Sequence, residues 1–298
     1  MNKHKKLLSK ITAFSFVLPA ILVVGLLLLY PVASSIFYSF TSKNLIKTTY
    51  KFVGLKNYIK VLSDSTFISS FRTSLKWTIF SLIGQVVVGF TAALALEHIR
   101  RGKGFYRTIL IIPWAFPSIV IAMSWKWILN GVYGFVPIAL VKLGIFSEIP
   151  QFFTTKEFVF ATLLFINIWF GAPLIMVNVL SALQTIPKDQ YEAARIDGAT
   201  SLQQFRYITL PHISVVVGLL VVLRTIWVFN NFDLIYLITG GGPANLTQTV
   251  PIYAYNVGWG QKQLGVASAV TVLLLVFLLV ICAIYFRILN KLEKEGPQ

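Results

Sequence analysis

Apolar residues fill long uninterrupted stretches of this chain and polar residues gather between them. The pattern is neither the alternation of a half-buried strand nor the narrow stripe of a surface helix. Six apolar runs stand out, at about 14–36, 77–96, 108–128, 158–183, 212–238 and 266–286. Each holds roughly the 20 residues that a helix needs to cross a hydrocarbon core about 30 Å thick. The pattern predicts an all-α polytopic membrane protein, six transmembrane helices forming a single domain over 1–298, with both termini on one side of the bilayer. Lys3, Lys5, Lys6 and Lys10 ahead of the first run imitate a secretory signal, but that run is too long and lacks a small-residue cleavage site. It reads as an uncleaved first span.

Composition agrees with the pattern: 56% of the 298 residues are hydrophobic and 12% charged, which excludes an ordinary soluble globular fold. The formal net charge of +16 would suggest nucleic acid in a soluble domain. Here it arises from Lys and Arg flanking the spans, and no basic helix or aromatic-rich sheet points to a nucleic-acid partner. Cys282 is the only cysteine, so no internal disulfide forms.

Basic residues at the span ends set the orientation. With the N-terminus inside, the cytoplasmic segments hold the four N-terminal lysines, then Arg100, Arg101, Lys103 and Arg107, then Lys188, Arg195 and Arg206, and finally Arg287, Lys291 and Lys294. The short, densely basic loop between the second and third spans favours this arrangement. The first outer loop departs from the rule, since it and its edges carry Lys43, Lys47, Lys51, Lys56, Lys60, Arg72 and Lys76. Residues 44–71 are polar and long enough to lie along the membrane surface, with a short helix over 58–62. In the last outer loop Gly240, Gly241, Gly242 and Pro243 permit a sharp reversal; no Gly-Lys-Ser/Thr follows, so this is not a phosphate loop.

Between the fourth and fifth runs lies a charge-balanced island, 184–211, whose core reads YEAARIDGATSLQQFRYITLP from Tyr191 to Pro211. Pro187 is placed to open a helix, with Asp189 and Glu192 near its positive end. Gly198 is placed to stop it in a left-handed conformation. Thr200 or Ser201, each with a glutamine three residues on, offers a capping box to a second short helix running to Pro211. The island reads as helix, turn, helix on the cytoplasmic side.

Polar groups inside the spans are costly and so point to function. Arg224, Val228 and Asn231 are spaced to share one face of the fifth span, beside Asn230 and Asp233. Asn167, Gly171, Leu174 and Asn178 form a comparable face on the fourth, and Gln85 stands in the second. Asn167 and Asn231 fall at similar depth, so the two faces can line a cavity; the same groups also suit hydrogen bonds that hold helices together. Trp169, Phe170, Trp227, Phe229 and Phe232 can stack on sugar rings or serve as ordinary lipid-facing anchors. Pro113 and Pro117 predict a kink in the third span. The chain carries no HExxH, nucleophile elbow or nucleotide-binding loop, so neither hydrolysis nor ATP use is expected of it.

The island resembles the EAA loop of binding-protein-dependent ABC importer permeases: E-A-A, three residues, G, nine residues, I-x-L-P. Glu192, Ala193, Ala194, Gly198, Ile208, Leu210 and Pro211 match every fixed position. VGLKNYIKVL before the second span, RTILIIPWAFPS into the third and FDLIYLITGGGP after the fifth are similar to the carbohydrate-uptake branch, in its MalF-type, six-span minimal form. The resemblance implies a type I importer permease fold in a bacterial cell membrane with cytoplasmic termini. It implies four kinds of partner: a MalG-type permease, two ATP-binding subunits, an extracytoplasmic solute-binding protein and membrane lipid. ATP and Mg belong to the ATPase, and this chain binds no cofactor or metal. The same residues and Asp197 become the ATPase-coupling set, while Asn167, Gly171, Arg224, Asn230 and Asn231 become the candidates for contacting a sugar or oligosaccharide. Glycerol-phosphate-like anions or other polyols are the nearest alternative cargo, and a stand-alone channel or a membrane enzyme is the alternative of another class.

Overall fold

Apolar runs rich in Leu, Ile, Val and Ala fold as helices, and the breaks fall at proline, glycine or paired asparagines. A computed structural model describes residues 3–99 and 101–295; Arg100, counted above among the inner cations, lies outside the described residues, as do both chain ends. In order come α1 (Lys3–Val24), α2 (Tyr30–Ser39), α3 (Lys56–Leu62), α4 (Ser65–His98), α5 (Lys103–Ala115), α6 (Ser118–Ile128) and α7 (Phe135–Lys142). They are followed by α8 (Lys156–Leu183), α9 (Lys188–Ile196), α10 (Ser201–Gln204), α11 (Leu210–Phe229), α12 (Asp233–Thr239), α13 (Val250–Tyr255) and α14 (Leu264–Glu295). An isolated antiparallel bridge pairs Thr41 with Phe52.

Five helical stretches among the described residues are long and apolar enough to cross a membrane: Phe14–Ser39, Ser65–His98, Lys156–Leu183, Ser201–Thr239 and Leu264–Leu289. The expected third span, 108–128, is not one helix. Its two halves, α5 and α6, meet at 92°. Pro113 stays inside α5, whereas Pro117 forces the preceding Phe116 into an extended conformation, φ −92° and ψ 148°, which ends the helix. Six spans therefore hold only if this bent pair counts as one.

The fifth run departs from expectation at both ends. The short helix predicted to stop at Pro211 instead continues from α10 through a π-helical turn, Phe205–Thr209, into α11. A wider turn just before Pro211 makes room for a ring that has no N–H to donate, and the π turn Gly25–Leu29 stands in the same relation to Pro31. At the other end α11 stops at Phe229, and α12 begins only at Asp233. Asn231 therefore lies beyond the helix and not on its Arg224 face.

The chain gathers into two compact units, residues 1–67 with 254–276, and residues 68–253 with 277–298. In the first, the most apolar window of Phe14–Ser39 has none of its residues buried, as suits a helix whose solvent is lipid. Asn57 of α3 is buried and donates to the Ser39 and Thr41 carbonyls, both at 2.8 Å. The short helix expected at 58–62 is thus present and starts two residues earlier.

The second unit is built on α8, half of whose apolar window is buried. One core gathers Trp77, Leu163, Ile166, Leu234 and Ile235, another Leu96, Ile175, Met176, Val179 and Ile213. Gly89 lets α4 and α8 approach: a Cβ there would meet the Ala172 carbonyl and the Ile175 Cβ, neither of which can swing aside. Gly89→Leu is expected to destabilise the bundle by about 1–3 kcal/mol, read as a lower melting temperature and folded yield in detergent.

Candidate functional site

The two breaks in the second unit meet at one place. Trp114 and Ser118 flank the α5–α6 bend, Asn230 to Asp233 form the α11–α12 break, and both sets line a cavity of about 560 Å³ together with Asn167, Phe170, Arg224, Trp227 and Val228. The Ser118 hydroxyl donates to Asp233 Oδ2 at 3.3 Å, joining one break to the other. Non-helical backbone at membrane depth persists only where protein buries it or a cavity faces it, so paired breaks mark such a cavity.

Arg224 provides the cavity's buried charge. It is 7% exposed, and its Nε and Nη2 both donate to Gln85 Oε1, at 2.9 and 2.6 Å. Gln85 Nε2 in turn donates to the Asn167 carbonyl at 3.0 Å. Asn167 Nδ2 reaches the Ser81 hydroxyl at 2.8 Å, and Asn231 Nδ2 reaches Asn167 Oδ1 at 3.5 Å. The depth match between Asn167 and Asn231 is therefore a direct contact. The Arg224 guanidinium also lies 5.8 Å from the centre of the Trp227 ring. Lys103 pairs with Glu97, whereas Arg224 makes no salt bridge among the described residues. A neutral amide satisfies its geometry and leaves its charge uncompensated. Asn231 Oδ1 is buried without a partner. The cavity thus offers a cation, unspent amide capacity and aromatic faces, the complement of a polyhydroxylated ring.

Of the predicted cargo residues, Asn167, Arg224, Asn230 and Asn231 line the cavity and Gly171 does not. Gly171 sits behind it, where a Cβ would collide with the Gln85 amide and Arg224 Nη2; its bareness sets where the guanidinium rests. Phe170, Trp227 and Phe232 line the cavity, Phe229 is buried in the core, and Trp169 packs edge-on against Trp125 at 5.4 Å. Asn178 bonds its own helix at Leu174 O, 2.8 Å, as a plain structural group. The sequence pattern missed Trp114 and Ser118, whose signal was the Pro113 and Pro117 pair, and the part Gln85 takes in holding Arg224.

The island forms a separate surface. Pro187 stands just before α9 and not within its first turn. Gly198 takes φ +79°, and the capping box belongs to Thr200 and Gln203, not to Ser201. Tyr191 bonds the Thr209 hydroxyl at 2.8 Å, tying α9 to the turn that leads into α11. Glu192, Ala193, Asp197, Leu210 and Pro211 are exposed, Ala194 and Ile208 half-buried. Ile196 and Leu202, which the motif does not include, are 86% and 75% exposed.

Comparison with known proteins places this geometry. Residues 85–295 match the family described as binding-protein-dependent transport system inner membrane component. The chain is 33% identical over 275 residues to the trehalose/maltose transport system permease protein MalF of Thermococcus litoralis, covering 92% of each. It is 32% identical to the diacetylchitobiose uptake system permease protein DasB of Streptomyces coelicolor, covering 95% of this chain and 88% of that one. Its fold is similar to a permease chain of a bacterial alginate ABC transporter, solved with a periplasmic protein carrying an alginate pentasaccharide, at a TM-score of 0.85 and 21% identity over the whole of both chains. The chain belongs to the binding-protein-dependent transport system inner membrane component family and is a transmembrane permease of an ABC importer.

Proposed function

We propose that the chain forms, with a second permease of the same family, the pathway through which an ATP-driven importer takes up a sugar or oligosaccharide handed over by an extracytoplasmic binding protein. Its termini and the 184–211 loop face the cytoplasm. Two separate ATPase subunits receive α9, with Ala193 and Ala194 allowing close approach, Glu192 and Asp197 offering charge to a basic rim, and Gly198 setting the turn. Closure of the ATPase dimer around ATP carries α9 and, through Tyr191 and Thr209, biases α11 between inward-facing and outward-facing states. Hydrolysis resets the cycle.

The observation that carries this reading is the cavity at the two helix breaks, where Arg224, Asn167, Asn230 and Asn231 stand among Trp114, Phe170 and Trp227. Planar rings bind sugar C–H faces, and amides with a guanidinium bind hydroxyls. Relatives named for trehalose, maltose and diacetylchitobiose uptake support a neutral saccharide as cargo. Arg224 makes no salt bridge among the described residues, which favours one other reading, an organic phosphate, although the Asp233 carboxylate lines the same cavity and works against it. Uptake competition separates them: excess neutral disaccharide should suppress uptake of labelled cargo and glycerol phosphate should not. The reverse order would make Arg224 an anion site.

A further inference from the structure

The cations between the first two spans work against the proposed orientation, and the first unit shows what gathers them. The loop after α2 folds back on itself, Ser42 N donating to Lys51 O at 2.9 Å and Val53 N to Phe40 O at 2.7 Å. It is pinned to the start of α14 by Leu45 N to Lys262 O and Gly265 N to Lys43 O, both 2.9 Å. Lys60 Nζ reaches Gln263 Oε1 at 2.6 Å. Lys43, Lys47, Lys51, Lys56, Lys60 and Lys262 are thereby collected at the end of α2 and the start of α14. No acidic residue occurs from Phe40 to Ser63, and among the described residues none of these lysines makes a salt bridge. Like charges held together repel, so this arrangement calls for an anionic partner.

The α3 helix narrows the choice of partner. Asn57 and Val61 face inward and are buried, Lys56 and Lys60 flank them, and Leu55, Ile59 and Leu62 form a third stripe that is 62%, 64% and 56% exposed. Ile46 and Phe52 nearby are 76% and 73% exposed. Asn57 bonds the carbonyl of Ser39, where the apolar first span ends, so α3 sits where hydrocarbon gives way to headgroups. A soluble partner that leaves in each cycle would return this stripe to water. Lipid covers it permanently.

We infer that α3 and the loop before it form an interfacial collar that binds anionic phospholipid, Leu55, Ile59 and Leu62 entering the acyl region while the lysines reach headgroup phosphates. Which leaflet is contacted rests on the topology proposed above; the lipid contact itself does not.

The full permease complex in nanodiscs tests this. A spin label at Ile59→Cys, in a Cys282→Ser background, should be more accessible to oxygen than to a water-soluble nickel chelate; the opposite would overturn the proposal. In mixed phosphatidylcholine and phosphatidylglycerol, the wild-type complex should retain phosphatidylglycerol selectively in native mass spectrometry. Replacing Lys47, Lys51, Lys56 and Lys60 with glutamine should weaken that preference by about fivefold per lysine. An unchanged lipid preference, with only the half-saturating concentration of binding protein shifted, would assign the lysines to protein docking and overturn the lipid assignment. A wild-type complex that retains phosphatidylglycerol selectively yet takes up no sugar would count against the transport reading alone.

Discussion

Arg224→Met should lower the initial rate of sugar uptake by roughly 10- to 100-fold while the protein still inserts. A hydrogen bond to a charged group contributes about 1.5–3 kcal/mol, and each 1.4 kcal/mol is tenfold in an equilibrium. Arg224 is the buried cation of the cavity and is held by two bonds to Gln85, so its removal takes away the charge and leaves Gln85 Oε1 without its donor. The stability cost of that orphaned acceptor is about 1–3 kcal/mol. Arg224→Met combined with Gln85→Met should recover most of that stability and none of the uptake, which separates transport from folding. Arg224→Lys keeps the charge but loses the planar fork, and intermediate uptake is expected. The measurement is uptake of radiolabelled disaccharide beside the yield of monodisperse complex. Wild-type uptake in Arg224→Met would place the cargo path elsewhere.

The larger loss is expected at the island. Gly198 has open space around its Cβ position, so bulk is not what excludes a side chain there; its φ of +79° is. A left-handed non-glycine residue costs about 1–2 kcal/mol, and an exposed turn can relax to avoid the strain. Relaxation would re-aim α9 relative to α10. Gly198→Asp should therefore leave insertion intact and reduce ATPase co-purification at least tenfold, abolishing uptake. Glu192→Lys, which reverses a charge on the exposed side of α9, should do the same without altering the turn. Normal yields of ATPase complex in both variants would remove α9 from the coupling role.

How legible these sites were in the sequence varied with the locality of their physics. Helix, left-handed glycine, capping box and helix follow one another within the island, and short-range spacing was enough to place Gly198 and to narrow the cap to Thr200 or Ser201. The apolar runs were equally plain, because membrane thickness sets their length. The broken elements were not. Pro117 announced a kink, but a 92° bend depends on α6 packing beside α12, a contact remote in sequence. Asn230 and Asn231 looked like two more residues of the fifth span, because Asp233 to Thr239 resumes the apolar pattern almost directly after them. Gln85 read as a neighbour-binding group and does bond α8, yet its carbonyl oxygen also takes Arg224 from a helix 139 residues away. That pairing is a property of the bundle, with Gly171 bare behind it, and no local spacing encodes it.

The central claim is that transport through this chain is driven by an ATPase bound at α9. It is tested most directly by uptake of radiolabelled disaccharide into proteoliposomes containing both permeases and the binding protein, with and without the ATPase subunits and enclosed ATP. Uptake against a gradient only when ATPase and ATP are both present, and lost in Gly198→Asp, is the predicted result. Equal flux without the ATPase would make the protein a channel and contradict the account.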